Sequence, residues 1–280
     1  MIIDFHTHIF PDAIAPATVK KLGGISHTRA FTDGTAQNLL NSMSRAGIDL
    51  SILLPVATRP GQCTSINNFA ARINEHNDRL LSLGGIHPDD TDWEEELERM
   101  VKLGLKGFKI HPCYQGVDFD DPRYLRLLRR AAELNLIVVT HAGLDIGFPG
   151  VNRCNPKMVR RGLDQTGPVK LVAAHMGGWR QWKEVMEYLP ETGIYLDTAF
   201  STRSIPELGD GYYRPEDLPL LSEEDFLSMV RSFGAHRILF GSDSPWTCQS
   251  EGIDWLRKSA LTQQEQKEIL GENGKRLLDL

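Results

Sequence analysis

The sequence predicts an α/β protein of the (β/α)₈ TIM-barrel class, formed as a single domain over residues 1–280. Three observations predict it. Eight short apolar segments alternate with helical segments, which implies parallel strands joined by right-handed crossovers. Histidine or aspartate follows most of the apolar segments, as expected where strand ends carry a site. The length also suits one barrel of this kind.

The predicted strands are buried apolar runs, and Leu136–Thr140 is continuous enough for a central parallel strand. The eight strands span Ile2–His6, Ile48–Ala57, Leu80–Ile86, Leu105–Ile110, Leu136–Thr140, Val169–Ala174, Ile194–Thr198 and Arg237–Phe240. An open doubly wound sheet is the alternative, but it would need a glycine-rich turn after the first strand, where this chain has His-Thr-His-Ile-Phe-Pro.

The helices are predicted from apolar periodicity and from capping residues, such as Thr35 before the first regular helix and Gly47 after it. They span Ala36–Ala46, Ser65–Asn77, Asp90–Leu103, Asp121–Leu134, Asn155–Thr166, Trp179–Leu189 and Ser222–Phe233, with further helices from Ile253, from Thr262 and over Gly274–Asp279. Long loops follow strand 1 (Ile9–Thr35, with a short helix around Ala13–Leu22) and strand 7 (Ala199–Leu221).

Charge and composition indicate which classes of binding partner to expect. The net charge of −6 and the pI near 5.9 argue against nucleic acid, which needs a basic surface. No apolar run is long enough to span a membrane, and no secretory signal is visible. The four cysteines are scattered without metal-site spacing, as expected of reduced thiols in the cytoplasm.

The histidines are the strongest functional signal. His6 and His8 lie two apart at the end of strand 1, so their side chains face the same way. Further metal-competent side chains stand at or just beyond other strand ends: His87, His111, His141, His175 and Asp243. In a barrel all these ends surround one mouth, so the sequence predicts a metal site there.

Six motifs, one near each of several strand ends and one at the C-terminus, make the chain resemble the amidohydrolase superfamily. They are Asp4-x-His6-x-His8, Gly107-Phe-Lys-Ile-His-Pro112, Thr140-His-Ala-Gly143, Ala174-His-Met-Gly-Gly178, Gly241-Ser-Asp-Ser-Pro-Trp246 and the segment Ile269–Leu278. The chain is most similar to the amidohydrolase-related branch, which includes aminocarboxymuconate-semialdehyde decarboxylase.

The resemblance implies one metal, zinc first, held by His6, His8, His141 and Asp243. It also implies that His175 and Asp243 move protons. Mn, Fe or Co, or a second metal, remain open. Lys109 is a third catalytic candidate: in two-metal relatives a lysine on strand 4 is carboxylated and bridges the metals, and otherwise Lys109 is a cation near the substrate.

The predicted substrate contacts are Arg59, His87, His111 and Trp246, of which Arg59 could hold a carboxylate. The resemblance leads us to expect a hydrolase of a small amide, ester or lactone, in which metal-bound hydroxide attacks the carbonyl. A non-oxidative decarboxylase of a small carboxylic acid is the first alternative, and a non-catalytic metal or ligand binder is the second. A homodimer also stays open by analogy with relatives.

Overall fold

The computed structural model of the chain describes residues 1–280, apart from the side chain of Pro215. The strands are β1 Ile3–Thr7, β2 Leu50–Leu53, β3 Leu80–Ser82, β4 Gly84–Gly85, β5 Gly107–Ile110, β6 Ile137–Thr140, β7 Leu171–Ala173, β8 Tyr195–Asp197 and β9 Ile238–Leu239. The α-helices are α1 Ala15–Ser26, α2 Ala36–Ala46, α3 Cys63–His76, α4 Trp93–Lys102, α5 Pro112–Gln115, α6 Pro122–Glu133, α7 Pro156–Thr166, α8 Trp182–Tyr188, α9 Glu223–Phe233, α10 Gln249–Lys258, α11 Gln263–Lys267 and α12 Asn273–Leu277.

The chain divides into two compact units. The terminal unit combines Met1–Leu53 with Thr198–Leu280, and the central unit is Leu54–Asp197. The single domain over residues 1–280 stays a prediction. None of the described helices has the length and apolar character that a membrane crossing requires.

The central unit contains a parallel sheet in the order β4-β5-β6-β7-β8. Its middle strands are fully buried: Phe108, Ile110, Val138 and Val139 are all 0% exposed. Strands covered on both faces are expected to be continuously apolar, which is why the run at residues 136–140 was readable as a central strand. Parallel pairing brings the carboxyl ends of these strands to one edge, where His111, His141 and His175 follow them.

The terminal unit holds the first and last strands. β1 pairs in parallel with β2, with Ile3 opposite Leu50. The Phe5 N–H donates to the Phe240 carbonyl just after β9 (2.7 Å), and the Thr7 hydroxyl donates to the Ile52 carbonyl (2.8 Å). These bonds bring the histidines at the end of β1 beside the segment that carries Asp243.

Several helices begin where a polar residue caps them. The Thr35 hydroxyl accepts from the Asn38 N–H (3.2 Å), and the Asp121 carboxylate accepts from the Arg123 N–H (2.9 Å). Asn155, Ser222 and Thr262 cap α7, α9 and α11 in the same way. Each cap satisfies an N–H that lacks a partner within its helix, so these starts follow from local chemistry.

Predicted strand 3 is interrupted. The structure forms β3 and β4 with Leu83 between them. Side chains of α3 take over backbone hydrogen bonds here: Asn74 accepts from the Ser82 N–H (2.6 Å) and Asn67 accepts from the Gly85 N–H (2.8 Å). The predicted continuous strand Leu80–Ile86 was therefore wrong: it is interrupted at Leu83, although β4 keeps its parallel pairing with β5.

Several helix boundaries differ from the predicted ones, and one helix was not predicted. The predicted helix at Trp179 begins only at Trp182, since Arg180 has a left-handed backbone conformation (φ 62°). The helix predicted from Ile253 begins at Gln249, and the short helix near Ala13–Leu22 runs over Ala15–Ser26. The short helix α5 was not predicted; the Nδ1 atom of His111 caps it.

Replacing Gly107 with alanine should destabilise the central unit severely. An added Cβ would lie 2.0 Å from the Ile137 carbonyl oxygen on the neighbouring strand, and backbone there cannot move aside cheaply. We expect a loss of about 3 kcal/mol or more and a fall in Tm of about 6–12 °C, measured by thermal unfolding. Gly24→Ala is the control, since nothing lies within 4 Å of its added Cβ; an equal loss in both variants would contradict the packing argument.

Candidate active site

The predicted ligands His6, His8 and Asp243 meet in the terminal unit. The His8 N–H donates to the Ser244 carbonyl and the Asp243 N–H donates to the His6 carbonyl, at 2.7 and 2.8 Å. The Oδ1 atom of Asp243 consequently lies 3.1 Å from Nε2 of His8 and 3.4 Å from Nε2 of His6. The side chains are 17%, 1% and 10% exposed for His8, His6 and Asp243, so the cluster is largely shielded from water.

These donors fit a divalent metal. Metal–ligand bonds of about 2.0–2.2 Å in a tetrahedral site separate neighbouring donors by roughly 3.3–3.5 Å. The 3.4 Å distance from His6 to Asp243 agrees with that spacing, the 3.1 Å distance from His8 is slightly shorter, and all three donor atoms lie within 4.8 Å of one another. The two imidazole planes are inclined by 70°, so their in-plane lone pairs are free to point toward a common centre.

Asp243 and His175 share a backbone feature. Both adopt left-handed conformations, with φ of 63° and 60°, which are unusual for residues other than glycine. Such conformations persist where the surroundings enforce them, and they cluster at functional sites. Of the eight described non-glycine residues with positive φ, two are therefore the residues that the resemblance assigns to proton transfer.

Asp4 forms hydrogen bonds with both chain segments that carry the cluster of His6, His8 and Asp243. Its Oδ1 accepts from the Ser242 N–H (2.8 Å) and the His6 N–H (3.3 Å), and its Oδ2 accepts from the Gln249 amide (2.8 Å). Burial raises the pKa of Asp4 to about 6, although these hydrogen bonds act in the opposite direction. The carboxyl group thus holds backbone around the predicted ligands.

In the central unit His141 and His175 form a directed chain of hydrogen bonds. Nε2 of His141 lies 3.2 Å from the Leu144 carbonyl, which can only accept, so Nε2 carries hydrogen in the neutral ring. Nδ1 then has the lone pair, and it lies 3.0 Å from Nε2 of His175. The assignment leaves Nδ1 as the atom through which His141 accepts a proton or binds a metal.

The protein fixes His175 from two sides. Its N–H donates to the Asp197 carboxylate at the end of β8 (2.9 Å), and its carbonyl accepts from the Trp182 indole (3.2 Å). The residue is 4% exposed. A rigidly held, buried imidazole suits proton transfer, because its geometry need not be organised during the reaction.

Asp145 is a site residue that sequence reasoning missed. Its Oδ2 lies 3.3 Å from Nε2 of His111 and 3.7 Å from Nε2 of His141, and its side chain is 9% exposed. The available signal was weak: an aspartate four residues after a strand-end histidine, within a loop of mixed composition. A turn directs this carboxylate toward the two histidines. In that turn the Gly147 N–H donates to Oδ1 of Asp145 (2.7 Å).

His111, His141 and Asp145 form a second group of metal-competent donors. The His111 and His141 rings are stacked, with centroids 4.3 Å apart and planes only 16° from parallel. Ring-nitrogen lone pairs lie in the ring planes, so near-parallel rings do not direct them to one ion. The inclined pair His6 and His8 is the better metal-binding arrangement.

Gln115 of the unpredicted helix α5 ties three chain segments of the central unit together. Its amide donates to the carbonyls of Ala57 (2.8 Å) and Ile86 (2.7 Å), which end predicted strands 2 and 3. Its Oε1 accepts from the His111 N–H (3.0 Å) and from the Tyr124 hydroxyl (2.5 Å). His111 is therefore positioned by a buried glutamine rather than by its strand alone.

The remaining predicted residues differ in exposure. Lys109 is 1% exposed within β5, and His87 is 3% exposed, with its Nδ1 accepting from the Asp89 N–H (3.2 Å). Burial lowers the pKa of His87, although Asp89 and Asp90 oppose this. Arg59 is exposed, and the Trp246 N–H donates to the Asp243 carbonyl (2.8 Å). Their contacts with substrate stay predictions.

Comparison with solved structures shows the fold. An uncharacterised TIM-barrel protein from Bordetella bronchiseptica is 17% identical, with a TM-score of 0.76 over 99% of this chain and 98% of that chain. A dihydroxybenzoic acid decarboxylase from Polaromonas sp. JS666, solved with manganese and 2-nitroresorcinol, is 17% identical, with a TM-score of 0.68 over 100% and 97%. A Pseudomonas putida protein named as a candidate 2-pyrone-4,6-dicarboxylic acid hydrolase is 18% identical, with a TM-score of 0.65 over 99% and 97%.

The parallel α/β structure and these likenesses confirm the predicted fold class, that of TIM-barrel proteins. The family model described as amidohydrolase matches residues 3–280, and the chain belongs to that family. It is accordingly an enzyme, and the donor set of the terminal unit supports a divalent metal as its cofactor. A sequence comparison with curated proteins finds no match.

Proposed function

We propose that the chain is a zinc-dependent hydrolase of a small-molecule amide, ester or lactone. The observation that carries this proposal is the convergence of His6, His8 and Asp243 at donor spacings suited to zinc. Zinc bound there would lower the pKa of a coordinated water and polarise a carbonyl group. The ligation by His141, which belongs to the central unit, comes from the family resemblance and remains part of the proposal.

The chain's own residues supply the proton transfers. Asp243 offers a second carboxylate oxygen that can accept a proton from the attacking water, while Oδ1 faces the two imidazoles. His175 acts as base or orienting group from a buried position, with its backbone N–H held by the Asp197 carboxylate. Lys109 is proposed as a buried cation that balances negative charge on the substrate or transition state.

A decarboxylase is the second candidate. It is favoured by the buried lysine Lys109 and by the dihydroxybenzoic acid decarboxylase among the similar structures. Arg59, His87, His111 and Trp246 remain proposed substrate contacts under either reaction. A third, weaker candidate is a metal or ligand binder without catalysis.

A panel assay separates these reactions. Metal-loaded protein is incubated with lactones, esters and amides, and with aromatic and unsaturated carboxylic acids, while product formation and CO₂ release are both followed. Hydrolysis without CO₂ supports the hydrolase, and CO₂ release from an acid replaces it with the decarboxylase. Tight metal binding with no turnover across both sets would favour the binder.

Replacing His141 with alanine should release most of the bound metal. A lone pair on Nδ1 is the donor that the substitution removes, and three remaining ligands bind zinc more weakly than four. Metal per chain is measured by elemental analysis after dialysis, with His236→Ala as the control for loss of an exposed imidazole. Full occupancy in His141→Ala would remove His141 from the ligand set.

Partners and location complete the proposal. We expect a small-molecule substrate, no nucleic-acid or membrane partner and a cytoplasmic location, and a homodimer stays open. The net charge of −6 supports the expectation of no nucleic-acid partner. Four free cysteines, three of them buried, are compatible with a reducing compartment. Sedimentation at several concentrations tests the dimer.

A further inference from the structure

Arg203, in the loop after β8, is a buried cation that the proposed mechanism does not use. The residue is 4% exposed. Its Nε donates to the Thr247 hydroxyl (3.1 Å), its Nη1 to the Thr202 hydroxyl (3.1 Å) and its Nη2 to the Gly241 carbonyl (2.7 Å). All three acceptors are neutral, which is unusual because buried charges are normally paired.

The two carboxylates that act most strongly on Arg203 lie in or beside the predicted metal site. Burial lowers the pKa of the guanidinium, and the carboxylates of Asp4 and Asp243 oppose this most strongly. Asp4 holds the Ser242 and His6 backbone, and Asp243 is a proposed ligand. The cation therefore lies where the negative charge of the ligand set is concentrated.

The hydrogen bonds of Arg203 hold the backbone that leads into Asp243. Nη2 fixes the Gly241 carbonyl, and Thr247, the acceptor of Nε, donates in turn to the Ser242 carbonyl. These two carbonyls immediately precede Asp243, whose φ of 63° needs support from its surroundings. A planar guanidinium with donors in fixed directions can hold such a turn, whereas a flexible ammonium cannot replace all its bonds.

The lack of a side chain at Gly252 leaves space for the guanidinium of Arg203. A Cβ added to Gly252 in α10 would lie 2.6 Å from the guanidinium carbon of Arg203. The Phe240 ring lies on another side, with its centroid 5.9 Å from that carbon. Arg203 is thus confined by a glycine, an aromatic ring and three directed hydrogen bonds.

We infer that Arg203 is a positioning residue that holds the Gly241–Ser242 backbone so that the Asp243 carboxylate meets His6 and His8. The inference rests on the proposed function only in taking Asp243 as a metal ligand. The inference applies equally to a hydrolase and to a decarboxylase, because both would use the same metal ligands.

The test measures metal binding rather than turnover. Zn²⁺ affinity is determined by competition with a chelator, and Co²⁺ is used as a spectroscopic probe of coordination geometry, for wild type, Arg203→Met and Arg203→Lys. We expect Arg203→Met to weaken Zn²⁺ binding by about 10- to 100-fold, as loss of groups that orient metal ligands does. The visible Co²⁺ spectrum should change as well, and Arg203→Lys should recover part of both losses because it restores the charge.

Arg99→Met is the matched control. Arg99 in α4 also uses Nε, Nη1 and Nη2 in hydrogen bonds, to Glu96, Asn68 and Thr64, but none of them involves the Asp243 segment. The control should lower Tm while leaving the Co²⁺ spectrum and Zn²⁺ affinity unchanged. Gly252→Ala displaces the Arg203 guanidinium without removing its charge. It should therefore shift the Co²⁺ spectrum in the same direction as Arg203→Met. If Arg203→Met does not fold, Gly252→Ala replaces it as the test of the positioning role.

Two results would overturn the inference, and they are distinguishable. Wild-type Zn²⁺ affinity and Co²⁺ spectrum in Arg203→Met, or in Gly252→Ala if Arg203→Met does not fold, together with loss in Asp243→Ala, would refute the role of Arg203 alone. Equal binding by wild type and Asp243→Ala would instead show that Asp243 is no ligand, and the proposed metal site would fail together with the inference.

Discussion

Replacing Asp243 with alanine should abolish both metal binding and catalysis. The substitution removes the carboxylate whose Oδ1 lies 3.1 and 3.4 Å from the two imidazoles of the terminal unit, and it also removes the proposed proton acceptor. We expect little metal to remain after dialysis and kcat/KM to fall by about 10²- to 10⁴-fold even with excess metal, since proton transfer alone contributes that much. Elemental analysis and steady-state kinetics measure the two effects.

Asp254→Ala provides the control for this first prediction. Asp254 is an exposed carboxylate on α10 in the same unit, so its loss changes the net charge equally without touching the site. Metal content and kcat/KM should match wild type. A fully active Asp243→Ala protein would contradict the assignment of Asp243 to either role.

Replacing His175 with alanine should separate catalysis from metal binding. The resemblance places His175 beside the reacting water rather than among the ligands, and the structure gives its ring a hydrogen bond to His141 and a rigid backbone. We expect kcat to fall by about 10²- to 10⁴-fold, as loss of a positioned acid or base does, while metal content stays near wild type. KM should change less than kcat if His175 acts mainly in the transition state.

His76→Ala, which removes an exposed imidazole on α3, is the control for His175→Ala. It should leave kcat and metal content unchanged. A His175→Ala protein that loses metal in proportion to its activity would make His175 a ligand instead of a proton-transfer group. Unchanged kcat with full metal content would remove it from the mechanism.

The fold was readable from sequence where local chemistry decides the structure. Leu136–Thr140 became β6 because a fully buried parallel strand is apolar throughout, and Thr35 began α2 because its hydroxyl satisfies a free N–H. The break in predicted strand 3 was not readable. The amides of Asn67 and Asn74 on α3 bond the backbone around this break, and the strand's own residues carry no signal of them.

The candidate site likewise contains residues that could be predicted from the sequence and residues that could not. His6, His8 and Asp243 were found because strand ends and family motifs mark them, and the structure brings these three together. Asp145 was missed, because no periodicity governs a loop and its aim depends on a turn around Gly147. Arg203 was missed for another reason: a single loop arginine gives no sign in the sequence that it is buried.

Gln115 has a consequence for protein engineering. Loops at strand ends are the usual targets when substrate preference is altered by grafting segments between related enzymes. Here one amide side chain binds carbonyls from two other segments and the backbone of His111. A grafted segment that replaces residues 111–120 without a glutamine at position 115 would leave the Ala57 and Ile86 carbonyls without this buried donor, so the loops of the central unit are exchangeable only as a set.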